Sequence, residues 1–216
     1  MSEKAPARRN AAGEERRREL LDRIIDHVLE RGVANLTLRG LAQAVGSNNR
    51  MLIYYFGGFE QLLTTALDES WNRFPTPTDP TELLADRTTP LTARLEQLWQ
   101  LLAEPARHDY MRLFFGVLGI AAYDRERYAS FLEATKRLWI QPLTDAIAAE
   151  GVDMKEAELL AYEAMAQWRG LEALQLASQD YELVDRVRLR WVHSLTERIH
   201  LTARIRLADA NERTQP

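Results

Sequence analysis

The sequence predicts an all-α fold, with an N-terminal helical domain followed by a larger C-terminal helical domain. Apolar residues recur every three or four positions along most of the 216-residue chain, and no stretch keeps the period-two alternation of a half-buried strand. The segment 75–90 contains four prolines among threonines and aspartates, a composition that interrupts helices. We therefore place the joint here, with one domain over 16–73 and the other over 74–216.

The composition is typical of a folded protein and excludes several kinds of chemistry. Hydrophobic residues make up 46% of the chain, charged residues 28%, and there is no cysteine. Without cysteine there is no disulfide, no thiolate nucleophile and no cysteine-ligated zinc. No apolar stretch resembles a signal peptide or approaches 18 residues in length. We expect a cytoplasmic protein with no membrane partner.

The charges are distributed unevenly along the chain. The net charge of −4 by itself opposes a polyanionic partner. The first 50 residues, however, contain ten Lys or Arg against seven Asp or Glu, so the rest of the chain carries the acidic surplus. This distribution is expected when only the N-terminal part meets nucleic acid.

Four helices are predicted before the joint and five after it. Thr37 and Asn48 are favourable N-caps for the second and third helices. Residues 1–15 lack apolar anchors and contain arginines, so they are predicted to form a mobile basic arm, and the last eight residues are also expected to be mobile. The predicted helices are 16–31, 38–45, 49–56, 59–71, 91–103, 107–122, 126–149, 154–178 and 182–207.

The stretch from Leu38 to Phe56 is typical of a helix-turn-helix. In that motif the second helix lies in the major groove of DNA while the first braces it. The spacing predicts that Leu52, Ile53 and Phe56 pack inward on the preceding helix. The outward face then carries Asn49, Arg50, Met51, Tyr54 and Tyr55, which together can hydrogen-bond bases, pair with phosphate and contact thymine methyl groups. The alternative is a solvated surface helix with no partner.

Two segments of this region resemble the DNA-binding domain of TetR-family transcriptional regulators. They are Leu41–Gly46, LAQAVG, and Leu52–Leu63, LIYYFGGFEQLL, and the resemblance extends over 16–70. It implies an N-terminal three-helix helix-turn-helix DNA-binding domain and a C-terminal helical ligand-binding and dimerisation domain. The family's function implies sequence-specific binding to double-stranded DNA, with a repressor released from a pseudo-palindromic operator by a small molecule.

The resemblance also implies which residues meet DNA. Thr37 is expected near phosphate, Arg39 at a base edge, and Tyr54 and Tyr55 at phosphate or sugar. The full predicted set is Thr37, Arg39, Asn48, Asn49, Arg50, Met51, Tyr54 and Tyr55. The chain departs from the family pattern at two positions, where Ile53 replaces a tyrosine and Phe59 a lysine, and both changes remove backbone contacts. The arginines at 16–18 either contact DNA or solvate the start of the first helix.

Specific binding to a pseudo-palindrome needs two reading heads, so a homodimer is expected. Apolar stripes on the last two helices are the candidates for its interface, although a stripe of this kind can equally serve the core of one chain. The predicted interface residues are Leu171, Leu174, Trp191, Leu195 and Ile199.

The C-terminal helices contain more aromatic residues than a small core needs, which predicts a ligand pocket. Gly116 and Gly119 weaken a helix interior relative to alanine. We expect such a cost where a cavity or a close helix crossing requires a small residue. The effector would be largely apolar or planar. Because Glu133, Glu163 and Glu172 lie in these helices, a cationic effector is also compatible with the sequence. The predicted pocket residues are Trp99, Tyr110, Phe114, Phe115, Trp139 and Trp168, and the alternative for most of them individually is packing in the core.

Two other functions are compatible with the sequence. One is a TetR-like DNA binder without a small-molecule inducer. The other is a helical enzyme, for which His193, Glu197 and His200 lie at i, i+4 and i+7 on one helical face, although side chains seven apart reach one ion poorly. No phosphate-binding glycine loop, nucleophile elbow or HExxH motif is present. We expect no enzyme activity, no metal and no cofactor.

Overall fold

The computed structural model describes residues 4–74 and 79–213, and within these ranges every regular element is a helix. The predicted all-α class is therefore confirmed. The helices are α1 (Lys4–Arg31), α2 (Leu38–Ala44), α3 (Asn49–Phe56), α4 (Phe59–Asn72), α5 (Pro80–Ala85), α6 (Leu91–Leu102), α7 (His108–Tyr123), α8 (Ala129–Thr135), α9 (Gln141–Ala149), α10 (Met154–Ser178) and α11 (Tyr181–Arg213). No described helix is both long and apolar enough to cross a membrane.

Both ends of the chain are more helical than the periodicity predicts. Helix α1 begins at Lys4 instead of near residue 16, and α11 continues to Arg213. Residues 4–15 are rich in Ala, Arg and Glu, which favour a helix through backbone propensity without adding apolar anchors. The mobility expected of 1–15 stays a prediction, and residues 1–3 and 214–216 lie outside the described ranges.

Helix α5 was not predicted, because its sequence lies in the proline-rich segment. Asp79 accepts hydrogen bonds from the backbone nitrogens of Thr81 and Glu82, at 2.7 and 3.3 Å, and Pro80 occupies the first helical turn. A proline at this position needs no backbone donor, so it starts a helix instead of interrupting one. Of the joint predicted over 75–90, residues 75–78 lie outside the described residues.

The predicted helix 126–149 is divided in the structure. Helices α8 and α9 are separated by a π-helical turn, Lys136–Ile140, that carries Trp139. Pro142 follows this turn, and a proline cannot donate to the carbonyl four residues earlier, which disturbs the α-helical ladder. The other predicted boundaries agree within about four residues, and α3 and α10 coincide with their predictions.

The chain divides into two compact units. The first comprises Met1–Pro75 and Ala106–Ala129, so that α7 joins α1–α4, and the second comprises Thr76–Pro105 and Ser130–Pro216. In the first unit α7 packs on α1 and α4. A Cβ on Gly116 of α7 would lie 2.6 Å from the Val33 side chain, whereas one on Gly119 would meet nothing within 4 Å. Gly116 therefore permits the close approach of Val33, which lies in the loop between α1 and α2, and not the helix crossing anticipated for it.

Candidate nucleic-acid interface

The turn between α2 and α3 is built by local hydrogen bonds. Thr37 Oγ1 accepts from Gly40 N at 3.1 Å at the start of α2, and Asn48 Oδ1 accepts from Met51 N at 3.0 Å at the start of α3. Between them Gly46 adopts a φ of +65°, in the left-handed region that favours glycine. Both predicted caps are thus in place, and they fix where α2 and α3 begin.

Helix α3 is held against α2 by a small buried set of side chains. Leu41 and Leu52 are fully buried, and Val45 and Phe56 are 4% and 6% exposed. Ile53, by contrast, is 52% exposed, so the prediction that it packs inward is wrong. The reason is helical spacing, because Ile53 lies four residues after Asn49 and three after Arg50 and therefore shares their face.

The outward face of α3 consists of exposed polar, cationic and apolar side chains. Asn48, Asn49 and Arg50 are exposed, and Tyr54 is 76% exposed with its ring 5.0 Å from that of Tyr55. Met51 and Tyr55, which were also predicted to meet DNA, are half-buried. Ile53 joins this face, and its position in the helical repeat was the signal that could have placed it there.

Two arginines beside this face have unpaired side chains. Among the described residues, neither Arg39, at the start of α2, nor Arg50 has an ion pair or a side-chain hydrogen bond, and both are exposed. The Thr37 hydroxyl is also exposed, and after accepting from Gly40 it keeps its own proton to donate. These groups are the ones a phosphate or a base edge would engage.

The arginines at 16–18 have partners within the protein. Arg17 Nε donates to Tyr55 O at 3.4 Å, and its guanidinium lies 5.2 Å from the Phe56 ring centre, so it supports the end of α3. Arg16 pairs with Glu19 and Arg18 with Glu15, on exposed parts of α1. Sequence reasoning missed Arg17 as a positioning residue, because its contact is 38 residues away along the chain.

Helix α4 is attached at both ends. Gly58 N donates to Gln61 Oε1 at 2.7 Å, while Arg127 Nε lies 3.1 Å from Glu60 Oε2. At the other end Arg73 donates to the carboxylates of Asp22 and Asp26 on α1. Partial burial would lower the pKa of Arg73, but these hydrogen bonds raise it above its ordinary value. Ion pairs therefore hold both ends of α4, the helix that follows α3.

The six predicted pocket residues are divided between the two units. Tyr110, Phe114 and Phe115 lie on α7 in the first, and Trp99, Trp139 and Trp168 belong to the second. Tyr110, Phe114, Trp99 and Trp168 are buried, whereas Phe115 and Trp139 are half-buried. Trp139 and Trp168 line a narrow apolar cavity of about 10 Å³.

A buried ion pair lies beside this cavity. Glu172 is 3% exposed and accepts from Trp168 Nε1 at 3.2 Å and from Arg169 Nη1 at 2.8 Å. Burial raises the pKa of Glu172, against the lowering effect of Arg169 and of the two hydrogen bonds. Arg169 also lies over the Trp139 ring, with its guanidinium carbon 5.1 Å from the ring centre.

Three of the five predicted interface residues are buried within their own chain. Leu171 and Leu195 are 2% exposed and Ile199 is fully buried, which is the core alternative that the periodicity left open. Trp191 is half-buried with its ring 5.7 Å from that of Trp168, and Leu174 is 57% exposed. The long helices also expose apolar side chains that the prediction missed, namely Leu159, Tyr162, Leu183, Leu189, Leu201 and Ile205.

The helical face of α11 that carries His193, Glu197 and His200 contains one ion pair. His193 Nε2 lies 3.3 Å from Glu197 Oε1, and His200 lines a shallow surface groove that also includes Glu197. In the part of the chain that the structure describes, no group of three or more His, Asp or Glu side chains is arranged to hold a metal ion.

The fold was compared with those of known proteins. No family model and no curated protein matches the sequence. A transcriptional regulator from Rhodococcus sp. Rha1 is similar in structure, with a TM-score of 0.60 and 17% identity over 86% of this chain and 95% of that one. A TetR-family regulator from Streptomyces coelicolor A3 covers 85% of this chain and 96% of its own at 18% identity, but its TM-score of 0.44 carries no argument.

At 17% identity the first likeness shows the fold alone. It extends over both units, well beyond the 16–70 region in which the sequence itself resembles TetR-family regulators. The chain therefore has the all-α fold of the Rhodococcus transcriptional regulator.

Proposed function

We propose that this protein is a sequence-specific, DNA-binding transcriptional regulator of the TetR type that acts in the cytoplasm as a homodimer. The observation that carries the proposal is the outward face of α3, where Asn49, Arg50, Ile53 and Tyr54 are exposed beside Arg39. An exposed isoleucine and an exposed tyrosine next to unpaired arginines suit a duplex groove, which offers methyl groups, base edges and phosphates together.

A cavity in the second unit supports the proposal that the regulator responds to a ligand. The cavity has a volume of about 170 Å³, is lined by residues of α5, α6 and α9, and is large enough for a small molecule. A ligand bound there would release DNA if it bound more tightly to a dimer whose reading helices are wrongly spaced for the operator. We propose repression relieved by such a ligand, and no catalytic activity.

Dimerisation is proposed through the exposed apolar residues of α10 and α11 instead of through the buried ones. Leu174, Leu183 and Leu201 are each about half exposed in the single chain. Covering such apolar side chains with a partner lowers the free energy, because it removes them from water. Sedimentation of the purified protein would give the mass of a dimer, and a monomer at micromolar concentration would contradict this part of the proposal.

The test is binding to duplex DNA from the region flanking the protein's own gene and to a pool of random duplexes, at two salt concentrations. An Arg39→Ala and Tyr54→Ala double variant should lose about 100-fold or more in affinity, because each side chain contributes on the order of 1–3 kcal/mol. Affinity of the unmodified protein should fall steeply with salt, as phosphate contacts require.

A matched control removes the same two residue types from other exposed positions. The Tyr123→Ala and Arg186→Ala double variant loses a tyrosine that is 96% exposed and an arginine exposed on α11. It should bind DNA as the unmodified protein does. If neither DNA source is bound by folded protein, or if both double variants weaken binding equally, the proposed reading face is wrong.

A further inference from the structure

The cavity in the second unit lies between three helices. It has a volume of about 170 Å³ and is partly open to solvent. An engineered apolar cavity of about 150 Å³ accommodates benzene, so this space is sufficient for one aromatic ring or a short aliphatic body. The lining residues are Thr81, Leu84, Ala85, Arg87, Arg94, Pro142, Asp145, Ala146 and Ala149.

The cavity wall contains a buried arginine that its own chain does not fully satisfy. Arg94 is 2% exposed, donates from Nη1 to Leu84 O at 2.6 Å and pairs through Nη2 with Glu150 Oε1 at 2.8 Å. Its Nε is buried and has no hydrogen-bond acceptor among the described residues. An unsatisfied buried donor of a charged group costs free energy, so a nearby acceptor supplied by a ligand would be stabilising.

A second arginine adds positive charge to the same wall. Arg87 is exposed and has no ion pair or side-chain hydrogen bond within the described ranges. The one acidic lining residue, Asp145, already accepts from Gln141 Nε2 at 3.0 Å. Glu150 is not a lining residue and is occupied by Arg94. Gln141 is neutral, so Asp145 keeps its charge, and among the described residues the charged donors left without acceptors in the wall are Arg87 and Arg94 Nε.

The rest of the lining is apolar. Leu84, Ala85, Pro142, Ala146 and Ala149 present hydrocarbon to the same space. Leu84 also lines the narrow apolar cavity of Trp139 and Trp168, so the two spaces are neighbours across one side chain. A ligand that satisfies this wall combines one acceptor-rich negative group with a small hydrocarbon body.

We propose that this cavity binds a small aromatic or short-chain carboxylate, with its carboxyl group at Arg87 and Arg94 and its hydrocarbon body against Leu84, Pro142 and Ala146. Arginine is the side chain best suited to a carboxylate, because its planar fork donates two parallel hydrogen bonds. The inference rests on the proposed function for its purpose, since this carboxylate would be the effector, and it replaces the cationic compound that the sequence left open.

The experiment is calorimetric titration of the full-length protein, without DNA, with three probes of one size and different charge. They are benzoate, benzamide and benzylamine. Benzoate should bind at least tenfold more tightly than either of the others, because only benzoate is an anion that can form a bidentate ion pair with arginine. If benzamide or benzylamine binds as tightly as benzoate, or if no probe saturates the protein at millimolar concentration, the proposal is overturned.

Variants locate the site. Arg87→Gln, at an exposed position, should weaken benzoate binding about tenfold. Arg186→Gln makes the same change on α11, away from the lining, and should leave it unchanged. Ala149→Leu should occupy the cavity and abolish binding, while the exposure of Ala149 leaves room for the fold to be preserved. Benzoate binding that is equal in all three variants would exclude this cavity.

The failure of this inference and the failure of the proposed function give different results. The titrations contain no DNA, so a protein that binds benzoate at this cavity but no duplex keeps the carboxylate site and loses the regulator proposal. A protein that binds its operator but not benzoate loses only the ligand assignment. If both proposals hold, benzoate should release the duplex from the unmodified protein, and Arg87→Gln should need about a tenfold higher benzoate concentration for the same release.

Discussion

Two helices of the protein use aromatic and charged residues in opposite ways. On α3, Tyr54 is 76% exposed and Arg50 has no ion pair within the described chain. On α10, Trp168 is 2% exposed and donates to Glu172, whose other oxygen accepts from Arg169. Arg169 and Glu172 pair beside the buried Trp168 on α10, whereas Arg50 and Tyr54 on α3 face solvent. Residue type is therefore a poor guide to function here, and exposure together with pairing is a better one.

The largest effect that separates the two helices should come from Trp168→Ala. Removing a fully buried tryptophan should lower the free energy of unfolding by about 3–5 kcal/mol, because it leaves a cavity and removes a donor to Glu172. Chemical denaturation measures this loss, and Tyr54→Ala, at an exposed position, is the control expected to change stability by less than about 0.5 kcal/mol. Equal losses in the two variants would show that the contrast in burial has no energetic meaning.

A smaller effect is expected at Ile53, this time on DNA binding and not on stability. If the exposed isoleucine contacts a thymine methyl group, replacing one thymidine of the operator by deoxyuridine should weaken binding about fourfold, the contribution of roughly one buried methyl group. Ile53→Ala should be insensitive to that replacement, whereas Ile53→Val should keep part of the sensitivity. Parallel titrations of both duplexes measure this, and an unmodified protein that does not distinguish them at any thymine contradicts the contact.

The smallest effect concerns the pH dependence contributed by Glu172. Burial raises the pKa of this carboxyl group, so the folded state holds its proton to a higher pH than the unfolded state does. Its contribution to stability is complete below the unfolded pKa of about 4.3 and is lost as pH rises through the folded value. The difference in unfolding free energy between the unmodified protein and Glu172→Gln should therefore decrease from pH 4 to pH 7. A difference that rises would show that Arg169 outweighs burial.

Local chemistry made much of the fold predictable from the sequence. The caps Thr37 and Asn48 and the glycine turn at 46 determine where α2 and α3 begin, and each acts within a few residues. The end of α10 follows in the same way from its polar terminus. Helix α5 and the early start of α1 escaped prediction because capping by Asp79 and the propensity of an alanine-rich stretch leave no apolar periodicity.

The candidate site was less predictable, because periodicity identifies a shared face but not the neighbour that covers it. Leu171 on α10 and Leu195 and Ile199 on α11 belong to regular stripes, yet all three are buried within their own chain. Ile53 was assigned to the core by residue type, although its helical spacing from Asn49 and Arg50 places it on the exposed face. The cavity of Arg87 and Arg94 depends on α5, a helix that the sequence did not predict, and on an ion pair 56 residues apart along the chain.

The close contact of Gly116 on α7 with Val33 has a consequence for synthesis and for the design of fragments. Because α7 completes the first unit, the chain leaves that unit near residue 75 and returns to it at 106. A ribosome that has released only the first 75 residues has exposed α1–α4 without the helix that covers them. An N-terminal fragment cut at the proline-rich segment would carry the same uncovered apolar surface, so the reading helix should be produced together with α7.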